Sequence, residues 1–344
     1  MRLEKLNNFK KRPGPLVFLV MDGIGLSDNT AGNAVKSAYT PTLDWLMKNC
    51  ITTKIKAHGT AVGLPSDDDM GNSEVGHNAF GAGRVFAQGA KLVNESIASG
   101  ALFDGEVWKK LTINVLTNKS TLHFIGLFSD GNVHSHLDHL KAMIEKAAQL
   151  QIKKIRIHIL LDGRDVGETS ALDYVLPFED YLKKINNTYS IDACIASGGG
   201  RMKITMDRYE ADWNMVKLGW DTHVHGNARK FKSAQAAIET YRNEIPGVID
   251  QDLPAFVITD ASDNPIGKIV DGDSVIFFNF RGDRAIEISK AFESEHFDKF
   301  DRGKMPKIMY AGMMQYDGDA KIPKTFLVNP PAISQTIGEL FALN

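Results

Sequence analysis

Ser73 stands in DMGNSEVGHNAFGAGR (residues 69–84), behind Gly71 and Asn72 and ahead of a run that can start a helix. A serine hydroxyl is a poor nucleophile at neutral pH, so it needs a neighbouring base or a metal that stabilises its alkoxide. No histidine–carboxylate partner is suggested nearby. The sequence offers instead PLVFLVMDGIG (15–25), an apolar run of strand length that breaks off at Asp22 and two glycines. Open α/β sheets place their sites at the C-terminal ends of strands. Asp22 there would be a hard metal ligand, and Ser73 at a helix N-terminus would add a hydroxyl among free backbone N–H groups. Taken singly, each signal has a plain reading: Asp-Gly after a strand marks a turn, and a serine before a helix serves as its N-cap.

The other residues that could do chemistry are arginines and acids at strand ends. STLHFIGLFSDG (120–131) reads as a strand, and the following VHSHLDHLKAMIEKAAQLQ as a helix with Leu137, Leu140, Ile144 and Ala147 on one face. KKIRIHILLDGRD (153–165) is the next strand, ending in Asp162, Arg164 and Asp165, so one βαβ unit delivers polar residues to one end. His134 and His136 have H-x-H spacing, as have His223 and His225, but that spacing alone does not make a metal pair. Three glycines precede Arg201, and Arg208 follows in MDRYEADW, where it could bind an anion or pair with Asp207, Glu210 or Asp212. LPAFVITDA and then Val275–Phe280 read as strands, the latter ending in Arg281, Gly282, Asp283 and Arg284 ahead of a helix over 285–292. Two arginines at a strand end read as an anion site.

The elements that must position these residues alternate strand and helix, which predicts a parallel sheet. Thr40-Pro41 starts a helix early in the chain; KIMYAGMMQYDGD supplies a late strand, and Ser334 would cap a last helix with Ile337, Leu340 and Phe341 as its stripe. At 344 residues, 43% hydrophobic and 24% charged, the chain has the length for two domains with real cores. A net charge of −2 argues against nucleic acid or an anionic membrane as partner. Cys50 and Cys194 lie far apart without a motif and read as buried thiols in a reducing compartment. The N-terminus has no apolar signal core and no stretch reaches the length of a membrane span, so a cytoplasmic protein is expected.

MDGIG, MGNSEVGH, DGNVHSH, LDGRD, MDRYEADW and FNFRGDR together resemble the cofactor-independent phosphoglycerate mutases of the alkaline phosphatase superfamily, from about Pro15 to Asn344. SDDD at residues 66–69, where many members carry Gly-Gln, resembles the plant and trypanosomatid branch. The resemblance implies an α/β fold: an alkaline-phosphatase-like domain, of which residues 1–89 are the first part, with an inserted α/β transferase domain at 90–329 and a return at 330–344. It implies Asp22 and Ser73 as ligands of one of two divalent metals (Mn²⁺, with Mg²⁺ or Co²⁺ also suitable) and Ser73 as the residue transiently phosphorylated. His134, Arg164, Asp165, Arg201, Arg208, Arg281 and Arg284 would hold 3-phosphoglycerate or 2-phosphoglycerate, with Asp165 moving protons and no free bisphosphoglycerate required. The spacing from Arg201 to Arg208 is one residue longer than in many bacterial members. The remaining family metal ligands, two aspartates and three histidines, and a lysine have no counterpart after the returning helix, so the chain alone is expected to bind metal weakly and to be inactive or nearly so. A complete chain of this kind is expected to be a monomer. The alternatives are a phosphoglycerate-binding protein without turnover, or another phosphotransferase of the superfamily such as a phosphopentomutase or phosphatase.

Overall fold

The computed structural model describes residues 4, 7–8, 10, 13–21, 24–331 and 333–343. Short α1 (Ala34–Ser37) and α2 (Pro41–Asn49) come first; Pro41 opens α2, where its fixed φ and missing N–H cost nothing. Then follow α3 (Ser73–Ala82), α4 (Gly89–Ala98), α5 (Ala101–Asp104) and α6 (Glu106–Asn118). The sheet begins with β1 (Thr121–Leu127), α7 (Leu137–Gln149), β2 (Lys154–Leu161), α8 (Ala171–Tyr189) and β3 (Asp192–Gly200). It continues through α9 (Trp213–His223), β4 (Arg229–Phe231), α10 (Ala234–Glu244), β5 (Phe256–Ile258), β6 (Ser274–Phe277), α11 (Ile286–Glu293) and β7 (Met309–Gly312), and α12 (Ile337–Leu343) ends the described chain.

The seven strands lie in the order β4-β5-β3-β2-β1-β6-β7. All neighbours are parallel except β3 and β5. Central strands buried on both faces need continuous apolar runs, and β1 and β2 supply them: every residue after the first is buried in each. One face packs on α6, α7, α8 and α10 through residues such as Trp108, Leu140, Val175 and Ile238. The other packs on α9 and α11 through Val216, Trp220, Ile288 and Phe292. The apolar stripe expected of α7 is fully buried at Leu140, Ile144 and Ala147. A shift in register between β2 and β3 pairs Ile157 with Ile195 but His158 with Ser197, so Ala196 is the extra residue of a bulge.

The structure departs from the sequence-based expectations at several places. Residues 15–21 form no strand, and their side chains are exposed, Leu16 by 94%. A strand exists only through ladder bonds to a neighbour, and among the described residues none pairs with this run. The ladder of β6 stops at Phe277 rather than Phe280, because beyond it the Asn279 side chain takes over, its Oδ1 accepting from Leu127 N–H at 2.8 Å. Ser334 does not cap α12. Thr336 does, in a reciprocal pair with Glu339, while the Ser334 carbonyl accepts from Arg84 at 2.7 Å. Cys50 is exposed at the end of α2, not buried. Among the described residues no helix is long and apolar enough to cross a membrane.

Candidate active site

Asn72, not Ser73, is the N-cap of α3: its Oδ1 accepts from Val75 N–H at 3.2 Å. Ser73 is thus the first helical residue. Its Oγ lies 3.2 Å from His77 Nδ1, and that nitrogen lies 2.7 Å from the Ser73 carbonyl oxygen. A carbonyl only accepts, so Nδ1 carries the proton, and His77 cannot take one from Oγ in this arrangement. The i,i+4 spacing was the signal for this contact, and sequence reasoning passed over it. The loop before Ser73 is fixed tightly. A Cβ on Gly71 would stand 1.8 Å from the Ala57 carbonyl oxygen, so only glycine fits. Asp67 accepts from the Thr60 amide and hydroxyl, and Asp69 from Ser66 N–H and, at 2.6 Å, from the Asn132 side chain. The acidic 66–69 segment therefore ties the Ser73 loop to the loop after β1.

Parallel strands send their C-terminal ends to one side of the sheet, and the loops after β1, β2, β3 and β6 bring His134, Arg164, Asp165, Arg201, Arg208, Arg281 and Arg284 to that side. Asp162 is the anchor that sequence reasoning left out of the set. Wholly buried, it accepts from the Ser129 hydroxyl at 2.6 Å, from the amides of Arg164 and Asp165, and from Arg201 Nη1 at 2.7 Å. Arg201 Nη1 also reaches Asp165 Oδ2 at 2.5 Å. Arg284 donates to the Met206 carbonyl at 2.7 Å. Asp283, likewise not foreseen, pairs with Arg281 at 3.1 Å and with Arg208 at 3.6 Å.

The field of these cations is felt by their neighbours. Burial first, then Arg201, Arg281, Arg284 and Arg164, holds His134 well below the usual histidine range, so it is neutral. Desolvation, then Arg201, lowers the Arg284 guanidinium against the opposing pull of Asp283. His134 Nδ1, Arg281 Nε and Asp283 Oδ1 are buried without a hydrogen-bond partner. Arg281 Nε does lie 3.3 Å from Glu74 Oε2, close enough for an ion pair though not aligned as a hydrogen bond. Ser73, Glu74, Arg208, Arg281 and Asp283 line one cleft of about 700 Å³. Arg201, Asp165 and His134 are not among its lining residues.

The family model of the BPG-independent PGAM N-terminus matches residues 93–318, which carry all the arginines of the cluster. The chain belongs to the 2,3-bisphosphoglycerate-independent phosphoglycerate mutase family. It is 58% identical over 344 residues to a probable mutase of this kind from Leptospira interrogans, covering 99% of this chain and 62% of that protein. It is 52% identical to an Arabidopsis thaliana mutase of the family, covering 99% and 61%. Among solved structures, the Leishmania mexicana phosphoglycerate mutase crystallised at low cobalt concentration superposes with a TM-score of 0.90 at 50% identity, covering 94% of this chain and 59% of the other. The chain thus spans about three fifths of the length of these mutases.

Asp22 lies outside the described residues. Among the described residues no group of three or more histidine, cysteine or acidic side chains is arranged to hold a metal ion. Ser73 has His77 at hand, but His77 Nδ1 is committed to a carbonyl. The described residues therefore do not make up the divalent-metal site that membership of the family implies, and His134 and His136 do not supply one: His136 Nδ1 accepts from Asp138 N–H as the cap of α7.

Proposed function

We propose that this chain binds phosphoglycerate at the arginine cluster beside the Ser73 cleft and belongs to a mutase that interconverts 3- and 2-phosphoglycerate through a phosphoserine at Ser73. The observation that carries this reading is the convergence of Arg164, Arg201, Arg208, Arg281 and Arg284 on the side of the sheet whose cleft also exposes Ser73. A phosphoglycerate has a carboxylate and a phosphate, and guanidinium forks match both with charge-assisted hydrogen bonds. Neutral His134 adds a hydrogen-bonding group without adding to the repulsion among the cations.

In the forward half-reaction a bond forms between Ser73 Oγ and phosphorus while the bond from phosphorus to the glycerate oxygen breaks. Ser73 enters and leaves this exchange without its proton, so the one proton that moves is carried by Asp165 between the two glycerate oxygens. Glycerate stays on the arginines, turns, and presents its other hydroxyl. The proton of that hydroxyl passes by way of Asp165 as the phosphoryl group returns, and the oxygen first released has gained one in exchange. Arg201, shared between Asp162 and Asp165, holds the Asp165 carboxyl in place. The proton of Ser73 itself has no acceptor among the described residues, so we expect these 344 residues to bind substrate without turning it over.

Calorimetric titration of the 344-residue chain with 3-phosphoglycerate, beside an assay of mutase turnover with Mn²⁺ and no bisphosphoglycerate, tests both statements. Binding without turnover agrees with the proposal. Turnover would show that the Ser73 proton does find an acceptor and would refute the second statement, and absence of binding would refute the assignment of the arginine cluster.

A further inference from the structure

On the face of the sheet covered by α9 and α11, a line of polar side chains crosses the interior at right angles to the strands. Asp273 Oδ2 lies 3.1 Å from His123 Nε2; His123 Nδ1 is 3.0 Å from His158 Nε2; His158 Nδ1 is 2.6 Å from Ser197 Oγ. Ser197 Oγ is in turn 2.8 Å from His223 Nδ1, and His223 Nε2 is 3.1 Å from Thr205 Oγ1. All six residues are 0–2% exposed. None belongs to the phosphoglycerate cleft.

We propose that these six residues form a one-directional hydrogen-bond relay that positions the 201–208 segment, and with it Arg284 and Arg208, from the far side of the sheet. The direction follows from counting protons. The Asp273 carboxylate only accepts, so His123 carries its proton on Nε2 and accepts at Nδ1. His158 must then donate from Nε2 and accept from the Ser197 hydroxyl. Ser197, having spent its proton, accepts from His223 Nδ1–H, and His223 Nε2 is left to accept from Thr205. Each atom has one role and no proton is missing or duplicated. Burial holds all three imidazoles below the usual histidine range, which agrees with neutral rings.

Two features show the line is built rather than incidental. The bulge at Ala196 is what brings Ser197, instead of its neighbour, opposite His158. At the other end, Gly219 of α9 leaves room for Thr205, whose Oγ1 would stand 2.1 Å from a Cβ there. Thr205 itself has φ +69°, a conformation a β-branched residue rarely takes and keeps only when its surroundings hold it. The next residue, Met206, offers the carbonyl that accepts from Arg284, and Arg208 follows two residues on. A hook on Thr205 therefore sets where both arginines stand. The six are positioning residues, since none touches the cleft.

Selective ¹⁵N-histidine labelling of the 344-residue chain reads the tautomers directly, with single His→Gln variants for assignment. Nε2–H at His123 and His158 together with Nδ1–H at His223 is expected; any other tautomer, or a charged ring, at pH 7.5 would overturn the relay. Thr205→Val keeps shape and branching but removes the hydroxyl, and Thr205→Ser keeps the hydroxyl. Amide exchange over residues 201–212 should quicken about tenfold in the valine variant and stay near wild type in the serine variant; equal exchange in all three would refute the positioning role. The further consequence, about tenfold weaker binding of 3-phosphoglycerate by Thr205→Val and recovery by Thr205→Ser, rests on the proposed function. If the wild-type chain bound no phosphoglycerate, that reading would fail while tautomers and exchange still decided the relay.

Discussion

Acid should unfold this protein well above the pH at which its carboxylates titrate. Five histidines, His123, His134, His139, His158 and His223, are 0–3% exposed, and burial lowers each, His139 and His223 to about 3. In the unfolded chain each would titrate near the ordinary value of about 6.5. The folded state then binds fewer protons than the unfolded state below that value, so stability is present above it and lost as pH falls. For one such group the loss between pH 7.5 and 5.5 is about 1.4 kcal/mol, so His139 and His223 together give about 3 kcal/mol, and His123, His134 and His158 add in the same direction. Burial raises Glu74, Glu179, Glu287 and Glu293, which take protons more readily when folded and offset part of this loss toward the acid end. Since a domain is stable by about 5–15 kcal/mol, the remainder is still a large share. Urea unfolding followed by the emission of buried Trp108 and Trp220 at pH 7.5, 6.5 and 5.5 measures it. A drop of under about 2 kcal/mol across that window would refute the assignment of neutral buried imidazoles. His139→Gln should remove about 1.4 kcal/mol of that dependence.

Asp162→Asn leaves Arg201 without its buried carboxylate and should cost about 3 kcal/mol in urea unfolding and remove phosphoglycerate binding; near-wild-type stability would contradict its role as anchor. Arg281→Lys, which keeps the charge but loses the fork, should weaken 3-phosphoglycerate about tenfold by calorimetry, and an unchanged affinity would remove Arg281 from the set. Ser73→Ala should leave affinity within twofold while abolishing turnover in a chain extended to the full length of the family; lost binding would undo the separation of nucleophile from anion site.

Much of the sheet could be read from the sequence because β1, β2 and α7 carry unambiguous apolar periods, and the residues just past the strands stand where a parallel sheet must put them. Four kinds of feature were hidden. The 15–21 run has the composition of a strand, but a ladder needs a neighbour that composition does not supply. The antiparallel turn of β5 and the bulge at Ala196 are decided by tertiary packing. Asp162, Asp283 and Glu74 look like ordinary surface acids until the fold sets them against Arg201 and Arg281. The buried histidines of β1 and β2 are indistinguishable, in sequence, from any polar interruption of an apolar strand.

The convergence of loops at one end of the sheet also makes the arginine cluster a local weakness of the fold. Arg164, Arg201, Arg208, Arg281 and Arg284 are distant in sequence and repel little in an unfolded chain, yet the fold gathers them where burial first, and the neighbouring guanidinium groups second, lower both Arg284 and His134. A small oxyanion that enters would offset both the desolvation and the repulsion that Asp162, Asp165 and Asp283 leave uncompensated. Sulfate or inorganic phosphate should therefore raise the melting temperature at concentrations where chloride of equal ionic strength does not, and the choice of buffer becomes a variable of the folding equilibrium itself.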